Sequence, residues 1–118
     1  MKKKILFIDD DPDIRNLMKI ILSMEGYDVD VAVHGEDGLA LLDNGLSPDL
    51  ILVDHNMNVM NGPKFLIELE KTPHFAKCPV VLMTALDIEY VETNKATEIF
   101  TQKGSLSEIR KMVARYCK

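Results

Sequence analysis

The chain has 118 residues, of which 47% are hydrophobic and 28% are charged, and its formal net charge is −5. One globular domain with its own core is expected, and the acidic balance argues against nucleic-acid binding. The apolar run after the lysines at 2–4 is too short for a signal peptide or a membrane span. Cys78 and Cys117 show no metal-ligand spacing, so free thiols in a cytoplasmic protein are expected.

The periodicity of the apolar residues predicts strands that alternate with helices. The predicted strands are residues 4–8, 28–33, 50–53, 80–83 and 99–102. The predicted helices are residues 12–24, residues 36–43, one that follows Asn61-Gly62-Pro63, a short one within 87–98, and residues 106–116. Pro12 suits a first helical turn, with Asp10 or Asp11 as the cap, and Ser105 suits the cap of the last helix.

This alternation predicts an α/β fold whose parallel sheet is covered by helices on both faces. Right-handed crossovers leave few topologies, and we predict a flavodoxin-like, doubly wound, five-stranded sheet of order 2-1-3-4-5 with five helices. Strand two alternates apolar with polar or small residues, as a solvated edge strand does, whereas strand three is apolar throughout. The whole of residues 1–118 is expected to be a single domain, and no further domain is expected within it.

Polar residues follow four of the predicted strands directly. Asp9 and Asp10 follow strand one, Asp54 follows strand three, Thr84 follows strand four and Lys103 follows strand five. The carboxyl ends of parallel strands share one edge of a sheet, where open α/β sheets bind their ligands. Three carboxylates, a hydroxyl and an amine at that edge predict a site for a divalent cation and a phosphoryl group.

Carboxylates crowded at one edge need compensation, since two unit charges ~4 Å apart repel by roughly 4 kcal/mol at an effective dielectric near 20. Mg²⁺ provides it, with Asp10 predicted as a direct ligand and Asp9 as a ligand through water. Asp54 has two open roles, metal ligand and phosphoryl acceptor. Thr84 suits a hydrogen bond to a phosphate oxygen, and Lys103 suits an ion pair with the phosphate.

The acids after strand one also suit other roles. Asp11, just before Pro12, favours a helix cap over a metal ligand. Asp9-x-Asp11 after an apolar strand also resembles the haloacid dehalogenase-like phosphatases, but Pro12 sits awkwardly in that motif. A flavodoxin that binds FMN needs a phosphate loop after strand one, where the acids of this chain would repel the phosphate.

Taken together, the motifs resemble the receiver domain of bacterial response regulators over essentially the whole chain. They are Ile8-Asp9-Asp10-Asp11-Pro12, Asp54-His55-Asn56-Met57 with Gly62 five residues later, Met83-Thr84-Ala85, and Gln102-Lys103. The resemblance implies that Asp54 accepts a phosphoryl group from a histidine kinase or phosphotransfer protein. It also implies that Asp9, Asp10, Asp54 and the backbone carbonyl of Asn56 hold Mg²⁺.

The resemblance further implies a switch, in which Thr84 moves toward the phosphate and Phe100 turns inward. The face formed by helix four, strand five and helix five would then change its affinity for a downstream protein target or for a missing output domain. Such a domain promotes its own phosphotransfer and dephosphorylation and is not a turnover enzyme. A stand-alone protein and a fragment of a longer regulator both remain open.

The chain departs from the family pattern at three places. Asn58 and Gly104 each replace a usual proline, the second of which often follows a cis bond, and the segment between Thr84 and Lys103 is short for the family. A short or irregular helix four is therefore expected. These departures keep an alternative open, a docking module on the same fold that works without phosphorylation.

Overall fold

The computed structural model describes residues 2–57, 59–85, 96–101 and 103–118. Its strands are β1 (Lys4–Ile8), β2 (Asp28–Ala32), β3 (Leu50–Asp54), β4 (Val80–Met83) and β5 (Glu98–Phe100). Its α-helices are α1 (Pro12–Met24), α2 (Gly35–Asp43), α3 (Gly62–Glu70) and α4 (Leu106–Tyr116), and a short 3₁₀ helix spans Pro73–Ala76. No helix in these ranges combines the length and the apolar character needed to cross a membrane.

The strands form one parallel sheet of order β2-β1-β3-β4-β5, which confirms the predicted fold class. β3 lies at the centre and is buried at every residue, as its unbroken apolar run predicted. β2 lies at one edge and keeps exposed and half-buried positions, as its alternating pattern predicted. β1 and β3 are neighbours, so their carboxyl ends meet beside the crossover point of the sheet.

Helices cover both faces of the sheet, and successive residues of β1 point to opposite faces. Ile5 and Phe7 pack in the cluster that α1 and α4 complete. Leu6 and Ile8 pack in the cluster that α2 and α3 complete. All four side chains are almost fully buried, so the two layers fix β1 from both sides.

Local signals set the ends of most elements. The Asp11 side chain accepts hydrogen bonds from the Asp13 and Ile14 amides, so Asp11 is the cap of α1 and Asp10 is not. The Ser105 side chain accepts from the Glu108 amide, which confirms the predicted cap of the last helix. Caps of this kind satisfy amides that a helix cannot pair within itself.

Some predicted bounds differ from the structure. β5 ends at Phe100 rather than at residue 102, and Thr101 beyond it is exposed. β2 ends one residue early, and α2 begins at Gly35 because the His34 side chain accepts a hydrogen bond from the Asp37 amide and caps the helix. The predicted fourth helix, residues 87–98, falls mostly on residues 86–95, which lie outside the described ranges, so α4 is the predicted fifth helix.

Gly62 lets α3 begin against the carboxyl end of β3. A Cβ atom there would lie 2.3 Å from Leu82 Cδ1 and 2.7 Å from the Asp54 backbone oxygen. We expect Gly62→Ala to lower the free energy of unfolding by about 1–3 kcal/mol, because the backbone must shift to admit the methyl group. Urea unfolding measures this. Gly104→Ala is the matched control, since a Cβ atom there meets nothing within 4 Å, and an equal loss in both variants would contradict the explanation.

Candidate functional site

The sheet brings the five predicted side chains to one edge. Asp54 ends β3, while Asp9 with Asp10, Thr84 and Lys103 follow β1, β4 and β5 respectively. The register pairs Ile8 with Val53 and Asp54 with Met83, so the residues after these strands lie level across the sheet. The juxtaposition therefore follows from the parallel register.

The three carboxylates form one cluster. Asp9, Asp10 and Asp54 each offer an oxygen, and these oxygens all lie within 4.8 Å of one another. Asp9 is 2% exposed and Asp54 is 4% exposed, whereas Asp10 is half-buried. Hard cations such as Mg²⁺ take oxygen ligands, and carboxylates are the usual protein donors. The chemistry of this donor set fits a divalent cation.

Asp9 carries a second sign of such a site. Its Oδ1 atom accepts a hydrogen bond of 3.0 Å from the Asp11 amide. Its Oδ2 atom is buried and has no hydrogen-bond partner among the described residues. A buried carboxylate oxygen without a partner is costly. A cation, or a water molecule held by one, would satisfy it.

Burial also disfavours the charged forms of two of these acids. It raises the pKa of Asp9 to about 6, with smaller raising contributions from the charges of Asp54 and Asp10 and opposing ones from the Asp11 amide and the Lys103 charge. Burial likewise raises the pKa of Asp54, against the lowering effect of its hydrogen bond and ion pair with Lys103. A bound cation would reverse this preference, since it favours the ionised acids.

Lys103 contacts one of the three acids, Asp54. Its Nζ atom donates to Asp54 Oδ1, and its side chain is 30% exposed. No cis peptide bond occurs in the described part of the chain, so the bond from Lys103 to Gly104 is trans. The ammonium group lies beside a carboxylate oxygen of Asp54, where it can act as a point charge toward an anion.

Thr84 and Phe100 are joined through the backbone. The Thr84 amide donates to the Phe100 carbonyl at 2.9 Å, and Thr84 itself is buried. Phe100 is 6% exposed and packs in the core cluster under α1 and α4. This hydrogen bond links the residue that follows β4 to the last residue of β5.

The loop after β3 holds the remaining predicted ligand. Asn56 is exposed, and its Oδ1 atom lies 3.1 Å from His55 Nδ1. Met57 is buried against the face of the sheet that α2 and α3 cover, which anchors the loop beside Asp54. Asn58, one of the departures from the family pattern, lies outside the described residues.

Sequence reasoning missed Arg15 at this edge. One of its terminal nitrogens donates to the Asp9 backbone oxygen at 2.8 Å, which ties the first turns of α1 to the strand end that carries the acids. An arginine in an amphipathic helix is usually solvated, so nothing in the local pattern marked this one.

Comparison with known proteins agrees with the geometry. Residues 5–113 match the family model of the response regulator receiver domain. The chain is 46% identical over 82 residues to the transcriptional regulatory protein CpxR of Klebsiella pneumoniae, a match that covers 70% of this chain and 33% of that protein. The chain thus spans about a third of the length of such regulators.

Solved structures give the same fold. Chemotaxis protein CheY4 of Vibrio cholerae superposes with a TM-score of 0.88 at 26% identity, over 98% of this chain and 99% of that one. Response regulator TrrA of Thermotoga maritima, solved in complex with Mg²⁺ and BeF, superposes with a TM-score of 0.83 at 29% identity. The match covers 97% of this chain and 98% of that one. Residues 5–113 match the family model, and the acid cluster lies at the strand ends where the motifs predicted it. The chain therefore belongs to the receiver domain family of two-component response regulators.

Proposed function

We propose that this receiver domain accepts a phosphoryl group on Asp54 from a histidine kinase or a phosphotransfer protein in the cytoplasm. One observation carries the proposal: the Asp54 carboxylate lies within a cluster of three acids and is held by Lys103. Capped helices and packed cores hold these groups in place, and positioning supplies much of the catalysis in phosphoryl transfer.

The acceptor step needs the Asp54 carboxylate, the phosphoryl donor and a divalent cation held by the acids. An Asp54 carboxylate oxygen attacks the phosphorus atom, and the phosphorus–nitrogen bond to the donor histidine breaks, with the electron pair left on the imidazole nitrogen. Asp9, Asp10, Asp54 and the Asn56 carbonyl would hold Mg²⁺. When bound, the ion neutralises charge on the acids and on the phosphoryl oxygens.

Phosphorylation of Asp54 would then change the positions of Thr84 and Phe100. The Thr84 hydroxyl would donate to a phosphoryl oxygen, and the backbone bond to Phe100 would carry the movement to β5 and α4. The partner is a downstream protein target or an output domain, whose affinity changes with the charge on Asp54. CpxR of Klebsiella pneumoniae is a transcriptional regulatory protein, and the same use is one form that this output can take.

Incubation with acetyl phosphate and Mg²⁺, followed by intact-protein mass measurement, tests the proposal. We expect one phosphoryl adduct, which forms with Mg²⁺ and does not form when a chelator is present from the start. Absence of any adduct would contradict the acceptor role. An adduct that leaves the affinity for a known partner unchanged would instead support a docking module that works without phosphorylation.

Lys103→Ala separates the phosphate-pairing role of Lys103 from metal binding. We expect this variant to retain most of the Mg²⁺ affinity, because it removes a positive charge from beside the acids. It should lose most of the amide shift changes that phosphorylation causes at Thr84 and Phe100, since the charge that pairs with the phosphate is gone. NMR titrations measure both quantities, and the surface variant Lys64→Ala is the control. Equal losses in metal affinity and response would count against the assigned role.

A further inference from the structure

An apolar cavity of about 270 Å³ runs between α1 and α4 up to the acid cluster. Phe7 and Met83 line it from the sheet, Ile14 and Leu17 from α1, and Leu106 and Ile109 from α4. Leu17 is 42% exposed and Leu106 is 39% exposed, so these two side chains form its mouth. An engineered cavity of about 150 Å³ is enough to bind benzene in another protein, so this space suits a ring with a short substituent.

The segment that leads from Lys103 into α4 leaves the cavity open. Gly104 lines it without a side chain, and a Cβ atom there would meet nothing within 4 Å. Ser105 is small, and its Oγ atom accepts from the Glu108 amide, so that side chain is turned to the helix. No large side chain from these two positions fills the space.

The inner end of the cavity is charged and has one unsatisfied acceptor. Asp9, Asp54 and Lys103 line this end. Lys103 donates its hydrogen bond to Asp54 and acts on Asp9 only through its charge, so the two carboxylates share one ammonium group. Asp9 is 2% exposed, and its Oδ2 atom has no hydrogen-bond partner among the described residues. Two carboxylates against one ammonium group favour a ligand with a positive head.

We propose that this cavity binds a small amphiphilic cation of the arylalkylamine class. The ring lies among the apolar side chains, and the ammonium group donates to the Asp9 carboxylate. Since Asp9 is also a proposed ligand of Mg²⁺, the amine and the metal weaken each other's binding. A ligand in this cavity therefore inhibits a metal-dependent reaction at Asp54. Occupancy of the cavity itself does not depend on phosphorylation.

Three probes of similar size test the charge of the site on the metal-free protein. They are 2-phenylethylamine, 2-phenylethanol and phenylacetate, each titrated while the methyl resonances of Ile14, Leu17 and Leu106 are followed by NMR. We expect saturable shifts with the amine, and an affinity at least about tenfold weaker for the alcohol, because its hydroxyl can donate to the Asp9 carboxylate but carries no positive charge to pair with it. Phenylacetate should bind weakest. Stronger binding by phenylacetate, equal binding by all three, or no binding of the amine would overturn the proposal.

Two variants locate the ligand. Leu106→Phe narrows the mouth and should abolish binding of 2-phenylethylamine, while Ile67→Phe, on the exposed side of α3, should leave it unchanged. An unchanged affinity in Leu106→Phe would place the ligand elsewhere and refute the site. Addition of Mg²⁺ should weaken amine binding to the natural protein, and independence from Mg²⁺ would refute the shared use of Asp9. Amine binding by a protein that forms no phosphoryl adduct would support the cavity while the proposed function failed.

Discussion

Asp54→Asn is expected to abolish the phosphoryl adduct that the natural protein forms with acetyl phosphate and Mg²⁺. The amide cannot attack phosphorus as a carboxylate does, and the hydrogen bond that Lys103 donates to Asp54 supports Asp54 as the acceptor. The fold should persist, because burial already disfavours the charged form of Asp54 and the amide carries no charge to desolvate. Intact-protein mass measured side by side on both proteins checks the loss, and circular dichroism checks the fold.

Asp28→Asn is the matched control for this result. Asp28 is exposed at the first residue of β2, at the opposite edge of the sheet, and loses a carboxylate in the same way. The adduct should form on this variant as on the natural protein. An adduct that survives Asp54→Asn and maps to a peptide with another acid would overturn the assignment of the acceptor.

The metal-free protein is expected to become less stable as the pH rises from about 4 to about 7, by roughly 3 kcal/mol from Asp9 alone. Burial raises the pKa of Asp9 in the folded protein to about 6, from 3.8. Between these values the folded state binds a proton that the unfolded state has released, so the free energy of unfolding falls with pH. The stabilisation is fully present below the unfolded pKa and is lost by the time the pH exceeds the folded pKa. Urea unfolding with a metal chelator present measures it.

Two comparisons identify the source of this pH dependence. Asp9→Asn should flatten the profile, because the titrating group is gone, and should make the metal-free protein more stable than the natural one near neutral pH. Added Mg²⁺ should restore stability above the folded pKa of Asp9, since a cation binds the ionised acids. A profile that Asp9→Asn leaves unchanged would show that another group is responsible.

The role of Asp54 rests on its place at the end of β3, which could be predicted from the sequence because strands and turns are local patterns. The apolar run of residues 50–53 marks a buried strand, and alternation with helices predicts a parallel sheet. These two inferences are enough to predict that Asp9, Asp54 and Thr84 lie at the same edge of the sheet. Asp11 and Ser105 were also identified as caps, because capping depends on a few neighbouring residues.

The features that the sequence did not predict are those that depend on contacts between residues far apart in the chain. The end of β5 was placed two residues late, since a strand end depends on where the partner strand stops pairing, and β4 pairs only as far as Phe100. Gly62 was noted as part of a motif, but the approach of Leu82 that requires a glycine there comes from β4. Nothing in the sequence pattern distinguishes Arg15, because its bond to the Asp9 backbone depends on how α1 docks on β1.

By itself, the sequence determined the parallel fold, the order of its strands and the edge at which the acids, Thr84 and Lys103 meet, because periodicity, caps and strand ends are encoded within a few residues of one another. Only the tertiary structure decided how those groups are paired. The bond from Lys103 to Asp54 joins residues 49 apart, the unpartnered oxygen belongs to Asp9, and the apolar cavity lies between α1 and α4. Such features depend on distances between elements that packing fixes, and no stretch of sequence carries them alone.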